Sequence, residues 1–273
     1  AAAAHPELLF WSSLLLSETL AIFLVTAALW AAMRSRVMAS SLRWSLAAGA
    51  LCGAAALTRA SLLPLAVLLG LWLALASRPL AGLLCLTAAI LLLAPWTLRN
   101  RLVVGAWVPV TTSGGCDLYA QCRDGADGGP ITPDDTFPKE AYSMDEAEAA
   151  RCLRKAAMDW IRAHPGRAFS LTLVRLRRTW SPVPNDPEHR TPAVLAVTLT
   201  ANVLLFGLAG AALLLKRLSA ATRTLVLLPV LLLATVHAIC TGSMRYRAPA
   251  LPGLCVLAGA ALVSALGASV SAT

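Results

Sequence analysis

The sequence predicts an all-α integral membrane protein, a bundle of about seven transmembrane helices with one external loop layer that contains helices of its own. Composition is the first observation behind this prediction. Hydrophobic residues make up 58% of the 273 residues and charged residues only 14%, about half the fraction usual in soluble domains, and the mean hydropathy is +0.70. The second observation is that apolar residues are grouped into stretches near the length that crosses a bilayer as a helix.

One long polar segment, residues 98–191, divides the chain into three predicted domains. Residues 1–97 are expected to form the N-terminal part of the bundle with about four spans, and residues 192–273 its C-terminal part with about three. The polar segment holds every acidic residue except Glu7 and Glu18. A polar segment of this length between membrane helices is expected to lie as a layer on one face of the membrane.

The N-terminal part is expected to open with an interfacial helix over residues 6–17, with Trp11 at the level of the lipid headgroups. The chain starts without an initiating Met or a signal peptide, which indicates the middle of a longer protein. Small residues let helices approach closely in lipid, so the Gly- and Ala-rich span at 44–57 is expected inside the bundle. The predicted spans are 18–33, 44–57, 61–76 and 80–96, followed after the polar segment by 192–215, 224–240 and 249–266.

The first half of the polar segment is predicted to be non-helical. Residues 102–122 are expected to be extended and then to turn at Gly114 and Gly115. Residues 123–142 are rich in Gly, Pro and Asp and are expected to form a loop.

The second half of the polar segment is predicted to contain two helices. Ser143 and Glu146 form a capping-box pattern for a helix over 144–164, which Pro165 is expected to end. A second helix over 167–180 carries apolar residues beside arginines, so we expect it on the membrane surface.

The distribution of basic residues predicts the side of the membrane on which the polar segment lies. Cytoplasmic turns of membrane proteins carry the excess of Lys and Arg. One set of turns holds Arg34, Arg36, Arg43, Arg78, Lys216, Arg217 and Arg223, whereas the short turns of the other set hold only Arg59, Arg245 and Arg247. The polar segment belongs to the second set. We therefore expect it on the periplasmic or extracellular side of the cell (inner) membrane.

Arginines on the predicted outer side run against the positive-inside rule and are candidates for a ligand. They are Arg59, Arg99, Arg101, Arg245 and Arg247. Guanidinium groups bind phosphate as planar bidentate donors, so our hypothesis is that a subset of them holds a lipid phosphate. The alternative is that each side chain reaches separately to the lipid headgroups.

Glu18 is expected at the outer mouth of the first span. An ionisable group there costs roughly a few kcal/mol unless it is paired or faces a cavity. One interpretation is a helix N-terminal acid that the helix dipole favours, with Ser17 as the cap. The other is a functional carboxylate beside the arginines, which orients a substrate hydroxyl or holds an arginine.

Charge, histidines and cysteines point to no other ligand class. The net charge of +9 fits basic helix ends near anionic lipid, so the bilayer and not nucleic acid is the expected partner. The histidines are scattered without metal-ligand spacing, so no metal site or cofactor is predicted, and dependence on a divalent metal is left open. Cys116, Cys122 and Cys152 lie in the predicted outer layer, where one disulfide among them is left open.

Several different short motifs follow one another along nearly the whole chain. They are Leu16-Ser17-Glu18 at the head of a span, Gly53 to Arg59, Pro95 to Asn100 followed by Gly105 and Val108 to Gly115, His164-Pro165 leading to Arg175 and Trp180, and Met244 to Pro249 with Pro252. In order and spacing this set resembles bacterial family 39 glycosyltransferases, the relatives of protein O-mannosyltransferases and of the aminoarabinose transferases of lipid A. No single motif is specific to that family.

The resemblance implies a GT-C-like bundle and a C-type membrane glycosyltransferase. Such an enzyme transfers a sugar from a polyprenyl-phosphate-linked donor to an acceptor lipid, glycan or protein, here by inverting single displacement. The principal catalytic aspartate of that family lies in the first external loop, upstream of every residue matched here. Catalysis is therefore expected of a full-length parent protein.

The resemblance also implies roles for individual residues. Glu18 matches the family's second acidic position and is the candidate catalytic residue. Candidates for binding the lipid phosphate or substrate are Arg59, Arg99, Arg245, Tyr246 and Arg247. Gly114 and Gly115 match a glycine pair in the external loop, in which Asp117 stands where Asn is commoner.

Two other classes of function are kept as alternatives. A lipid-linked substrate transporter or flippase would be expected to carry charge near mid-span and broken helices in matching halves. A non-catalytic membrane protein would have Glu18 and the arginines pointing separately into the headgroups. The transferase interpretation requires these side chains to share one outward-opening cavity.

Overall fold

The computed structural model describes residues 4–14, 16–38, 41–76, 78–131 and 137–270, with side chains except those of residues 41 and 267–270. Every regular element in these ranges is helical, which confirms the all-α prediction for them. The α-helices are α1 (Pro6–Ser13), α2 (Ser17–Val37), α3 (Ser41–Thr58), α4 (Leu65–Leu75), α5 (Pro79–Val103), α6 (Gly114–Gln121), α7 (Glu146–Ala163), α8 (Pro165–Thr179), α9 (Pro192–Leu214), α10 (Ala220–Ile239) and α11 (Leu251–Val270). Turns of 3-10 helix occur at Ala60–Leu62, Lys139–Tyr142, Pro187–His189 and Met244–Ala250.

Five helical stretches in the described ranges are long and apolar enough to cross a membrane. They are Ser17–Val37, Pro79–Val103, Pro192–Leu214, Ala220–Ile239 and Met244–Leu266. The predicted spans at 44–57 and 61–76 correspond to two shorter apolar helices, Leu42–Thr58 and Ala60–Leu75, which fall below the roughly 20 residues of a typical crossing. This is the architecture of an all-α, multi-pass membrane protein.

The chain divides into two compact units. Unit 1 comprises Ala1–Ile90, Pro182–Leu233 and Arg247–Thr273, and unit 2 comprises Leu91–Ser181 and Ala234–Tyr246. The polar segment belongs to unit 2 except for residues 182–191. Each unit is thus assembled from segments far apart in sequence.

In unit 1 the predicted interfacial helix is shorter than expected and the first span is longer. The helix predicted over 6–17 ends at Ser13, and a separate helix, α2, starts at Ser17; residue 15 lies outside the described residues. α2 continues to Val37 and takes in Arg34 and Arg36. Arginine is a good helix former, and its charge is favourable at a helix C-terminus.

The Gly- and Ala-rich helix α3 makes very close contacts, as its small residues predict. A Cβ atom added to Gly49 would lie 1.9 Å from the backbone oxygen of Cys85 in α5. On the α2 side the hydroxyls of Ser35 and Ser45 form a buried hydrogen bond of 2.7 Å. Glycine at position 49 therefore allows the backbones of α3 and α5 to touch.

The fourth span does not end where the sequence predicted. α5 continues through Pro95 to Val103, so Arg99 and Arg101 lie on a helix and residues 102–103 are not extended. The residues after Pro95 include no further helix breaker until Gly105, which has a positive φ of 76°.

The predicted turn at Gly114 and Gly115 is wrong, because these glycines begin the short helix α6. A Cβ atom added to Gly115 would lie 2.1 Å from the backbone oxygen of Ala150 in α7. The absence of a side chain thus serves close helix packing and not a tight turn. Of the predicted loop at 123–142, residues 132–136 lie outside the described residues.

The two helices of the polar segment form within two residues of their predicted ends, as α7 and α8. The cap of α7 differs from the prediction: the Asp145 side chain accepts a hydrogen bond of 2.8 Å from the backbone N–H of Glu148. Ser143 instead donates to the backbone oxygen of Glu140. Pro165 is the first residue of α8. Proline is tolerated there because the N–H of the first helical residue has no hydrogen-bond partner within the helix.

Candidate functional site

Glu18 and Arg59 form a buried ion pair in unit 1. Glu18 lies in the first turn of α2, and Arg59 follows α3 in an extended conformation that leads into the turn Ala60–Leu62. An Nη1 hydrogen of Arg59 is donated to Oε1 of Glu18. The Glu18 side chain is 0% exposed and that of Arg59 is 12% exposed. The structure therefore supports the interpretation of Glu18 as a carboxylate that holds an arginine.

A second buried ion pair in unit 1 joins residues near the two ends of the chain. Nη2 of Arg247 donates to Oε2 of Glu7 at 2.7 Å, and its Nε donates to Oε1 at 3.2 Å. Nη2 also donates to Oδ1 of Asn202 in α9 at 3.0 Å. The guanidinium carbon lies 5.2 Å from the ring centre of Phe206. The structure therefore binds the fully buried Arg247 in a bidentate pair with a carboxylate inside the protein.

Glu7 and Asn202 are partners of Arg247 that were not predicted from the sequence. A buried guanidinium needs a counter-charge, and Glu7 is one of only two acidic residues outside the polar segment, so this signal was available. His5 lies beside this pair and is 7% exposed. Burial lowers the pKa of His5, the Glu7 carboxylate opposes that shift, and Arg247 adds to it. The neutral imidazole is thereby favoured.

In unit 2, two motif segments that the sequence analysis singled out are bonded to each other. The indole N–H of Trp96 donates to the backbone oxygen of Val110 at 2.8 Å. The hydroxyl of Thr97 donates to the backbone oxygen of Pro109, and the amide of Asn100 donates to that of Val108 at 2.9 Å. The end of α5 thus fixes the course of the chain over residues 108–110.

The remaining basic candidates and Tyr246 are also in unit 2. Arg99 is exposed, and its guanidinium carbon lies 5.2 Å from the ring centre of Trp96. Arg245 is half-buried. The ring of Tyr246 is stacked on that of His237, with centroids 4.7 Å apart and an angle of 11° between the planes. Arg99 therefore offers its guanidinium at a surface, held against an aromatic face.

The glycine pair and Asp117 lie in α6. A Cβ atom at Gly114 would meet nothing within 4 Å, whereas Gly115 is in close contact with α7. Burial raises the pKa of the Asp117 carboxyl, and a hydrogen bond with the Ser113 side chain opposes that shift. Gly115 is thus explained by helix packing within unit 2, and Asp117 lies in the same helix.

The predicted site residues are divided between the units. Unit 1 holds Glu18, Arg59 and Arg247, and unit 2 holds Arg99, Gly114, Gly115, Asp117, Arg245 and Tyr246. A cavity of about 190 Å³ in unit 2 is lined by residues in the range 120–130, among them Gln121, Arg123 and Asp127. None of the predicted residues lines this cavity.

The described residues hold no group of three His, Cys, Asp or Glu side chains placed to bind a metal ion. All seven cysteines are free thiols, including Cys116, Cys122 and Cys152, so the disulfide that the sequence left open is not formed. Comparisons with protein-family models, curated proteins and solved structures found no match to this chain. The contacts above and the sequence motifs are therefore the basis for a functional assignment.

Proposed function

We propose that the chain is part of a membrane-embedded glycosyltransferase with a GT-C-like bundle. It takes a sugar from a polyprenyl-phosphate-linked donor and transfers it to an acceptor on the outer face of the cell membrane. In this proposal the polar segment is the external layer, and the shorter apolar helices α3 and α4 complete a bundle of seven crossings.

The observation that carries the proposal is the buried ion pair of Glu18 and Arg59. Its two members come from two separate motifs of the glycosyltransferase resemblance, 41 residues apart, and they meet at the start of an apolar helix long enough to cross a membrane. A buried ionised pair is weak evidence for stability, since burial costs both charges their hydration. The presence of such a pair in an apolar bundle is expected where a functional arginine has to be held in one orientation.

The chemistry of sugar transfer gives these residues distinct tasks. The acceptor hydroxyl gives its proton to a general base, the principal catalytic aspartate that the resemblance places upstream of the residues matched here. Its oxygen forms a bond to the anomeric carbon while the bond from that carbon to the phosphate oxygen breaks, so negative charge grows on the departing phosphate. A fixed guanidinium stabilises that charge without reorganisation. We assign this task in unit 1 to Arg59, and we assign to Glu18, which is fully buried, the task of positioning Arg59.

Arg247 has a structural role in the proposal. Its Nε and Nη2 donors are directed to Glu7 and Asn202, so we assign it to holding α1 and α9 together and not to the phosphate. In unit 2 the exposed Arg99 and the half-buried Arg245 remain candidates for the phosphate, because a guanidinium presents several N–H donors to it at once.

Binding of undecaprenyl phosphate to the protein in nanodiscs tests the role of Arg59. We expect Arg59→Ala to weaken binding about 10- to 100-fold, the loss of one or two charge-assisted hydrogen bonds. Arg59→Lys keeps the charge and should recover part of the affinity. Glu18→Gln should weaken binding less, because the arginine is then present but less well oriented.

Two controls make this test decisive. Undecaprenol, which lacks the phosphate, should bind the wild type and Arg59→Ala equally. Arg162→Ala removes an exposed arginine of unit 2 that pairs with Asp159, and it should bind like the wild type. Unchanged phosphate affinity in a folded Arg59→Ala protein would overturn the proposal, and movement of the lipid phosphate between vesicle leaflets would favour a flippase instead.

A further inference from the structure

The other end of α2 carries a cluster of arginines and tryptophans. We call it the Arg–Trp cluster; its members are Arg34, Arg36, Arg43, Arg78, Trp30, Trp44 and Trp72. All of them belong to unit 1. They come from the last turns of α2, the start of α3, α4 and the residue before α5.

The tryptophans form platforms on which the guanidinium groups lie. The guanidinium carbon of Arg34 is 5.4 Å from the ring centre of Trp30 and 5.5 Å from that of Trp44. These two rings touch edge to face, with centroids 4.9 Å apart. Arg43 also lies over Trp44, at 5.6 Å. Two tryptophans, Trp30 of α2 and Trp44 of α3, thereby hold Arg34 and Arg43 in place.

The same arrangement continues on α4. The guanidinium carbon of Arg36 is 5.4 Å from the ring centre of Trp72, whose indole N–H donates to the hydroxyl of Thr224 at 2.9 Å. Arg78 donates to the backbone oxygen of Ser35 at 3.0 Å. The cluster is thus tied to the ends of several helices and does not consist of loose surface side chains.

The cluster has no counter-charge of its own. The sequence contains no acidic residue between Glu18 and Asp117 and none after Glu188. Within the described residues no salt bridge involves any of the four arginines. Arg34 and Arg43 are exposed, and Arg36 and Arg78 are half-buried. Two exposed positive charges over one ring, those of Arg34 and Arg43 at Trp44, favour an anionic partner.

We propose that the Arg–Trp cluster binds the phosphate headgroup of an anionic phospholipid of the surrounding leaflet. The cluster lies at the C-terminal end of a helix long enough to cross a membrane, where Trp and Arg meet the headgroups. Stacking on an indole leaves the edge of a guanidinium available, and that edge matches two phosphate oxygens. This inference is independent of the proposed transferase activity, since it concerns the opposite end of α2 from Glu18.

Retention of phosphatidylglycerol against phosphatidylcholine tests the proposal. The protein is reconstituted in vesicles of both lipids, extracted in a mild detergent, and the lipids that stay bound are counted by native mass spectrometry. We expect the wild type to retain phosphatidylglycerol preferentially. Each of Arg34→Ala and Arg43→Ala should lower that preference about fivefold, and added salt should lower it in the wild type.

Two matched variants separate a built site from general positive charge. Arg217→Ala removes the same charge from an exposed residue between α9 and α10, and its preference should stay at the wild-type value. Trp44→Leu keeps every charge but removes the platform shared by Arg34 and Arg43, so its preference should fall. Circular dichroism checks that each variant keeps its helix content.

The proposal is overturned if Arg217→Ala lowers the preference as much as Arg34→Ala, because bulk charge then explains the retention. It is also overturned if Trp44→Leu retains lipid like the wild type. Displacement of the lipid by millimolar glycerol phosphate would show that the cluster binds a free phosphate and not a lipid. No preference in the wild type would end the proposal directly.

Discussion

The two units differ in the groups that accept hydrogen bonds from their buried arginines. In unit 1 the buried Arg247 and the nearly buried Arg59 are each paired with a carboxylate, Glu7 and Glu18. In unit 2 the buried Arg175 donates instead to the backbone oxygens of Ala238 and Gln121, the former at 3.1 Å. Its nearest side-chain partner is the sulfur of Cys122 at 3.8 Å.

This difference is not explained by the supply of acidic residues. Unit 1 contains only Glu7, Glu18, Asp186 and Glu188, whereas the other acidic residues are all in unit 2. Away from the helix ends, an apolar bundle offers a guanidinium neither water nor spare carbonyl groups, because helices use their own carbonyls. Neutralisation by a carboxylate is then the remaining solution. In unit 2 the C-terminal ends of α6 and α10 supply carbonyl groups, and Arg175 joins these distant segments by donating to the backbone oxygens of Gln121 and Ala238.

Removing a counter-charge in unit 1 should have the largest effect on stability. Glu7→Gln keeps the shape of the side chain but removes the carboxylate charge that pairs with the buried Arg247 cation. We expect a loss of about 3–5 kcal/mol, seen as a large drop in the midpoint of thermal unfolding in detergent.

Two further variants check this prediction. Glu188→Gln alters an exposed acid of the same unit and should leave the midpoint unchanged. The double variant Glu7→Gln with Arg247→Met removes both charges and should recover part of the loss. A midpoint for Glu7→Gln equal to that of Glu188→Gln would mean that the pair does not stabilise unit 1.

The corresponding change in unit 2 should be smaller. Arg175→Met removes the charge together with its bonds, so no buried charge is left behind. The backbone oxygens of Gln121 and Ala238 and the sulfur of Cys122 lose a donor. We expect a loss of about 1–3 kcal/mol, measured by the same thermal unfolding. Arg154→Met, at an exposed residue of α7, serves as the control. A loss for Arg175→Met as large as that for Glu7→Gln would remove the distinction between the units.

The smallest effect is expected at Asp117, where the sign depends on pH. Because burial raises the pKa of this carboxyl, the folded state holds the proton more firmly than the unfolded state. This contribution is fully present below the usual pKa of 3.8 and is lost as the pH rises through the folded-state pKa. Asp117→Asn cannot ionise, so its stability relative to the wild type should rise with pH, by no more than about 1 kcal/mol.

Thermal midpoints between about pH 4 and about pH 7 test this dependence. Asp159→Asn is the matched control, since Asp159 is exposed and paired with Arg162. If the difference between Asp117→Asn and the wild type does not change with pH, burial of the carboxyl has no influence on folding.

The fold was largely predictable where a single helix carries its own signal. α7 and α8 follow from their spacing of apolar residues, and the long apolar stretches follow from composition. The wrong predictions concern positions at which contacts between distant segments, and not local sequence, determine the structure. Gly114 and Gly115 look like a turn in sequence, but Gly115 is required by the backbone of Ala150. Capping by Asp145 in place of Ser143 shows how two neighbouring acceptors compete for one helix start.

Several charged residues of unit 1 could be singled out from the sequence, but their pairings could not. Glu18 and Arg59 were both recognised as out of place in an apolar region, and they contact each other. Arg247 was also recognised, yet its partner Glu7 lies 240 residues away. No local pattern encodes a contact over that distance, whereas the requirement to neutralise a buried cation applies to any fold.

The bond between Glu7 and Arg247 sets an order for biogenesis. A ribosome that adds about 5–20 residues per second needs on the order of 10–50 s to synthesise the chain between these two residues. Throughout that interval Glu7 cannot form the ion pair that it has in the folded protein. The packing of α1 that depends on this pair is therefore completed only after residue 247 has been synthesised.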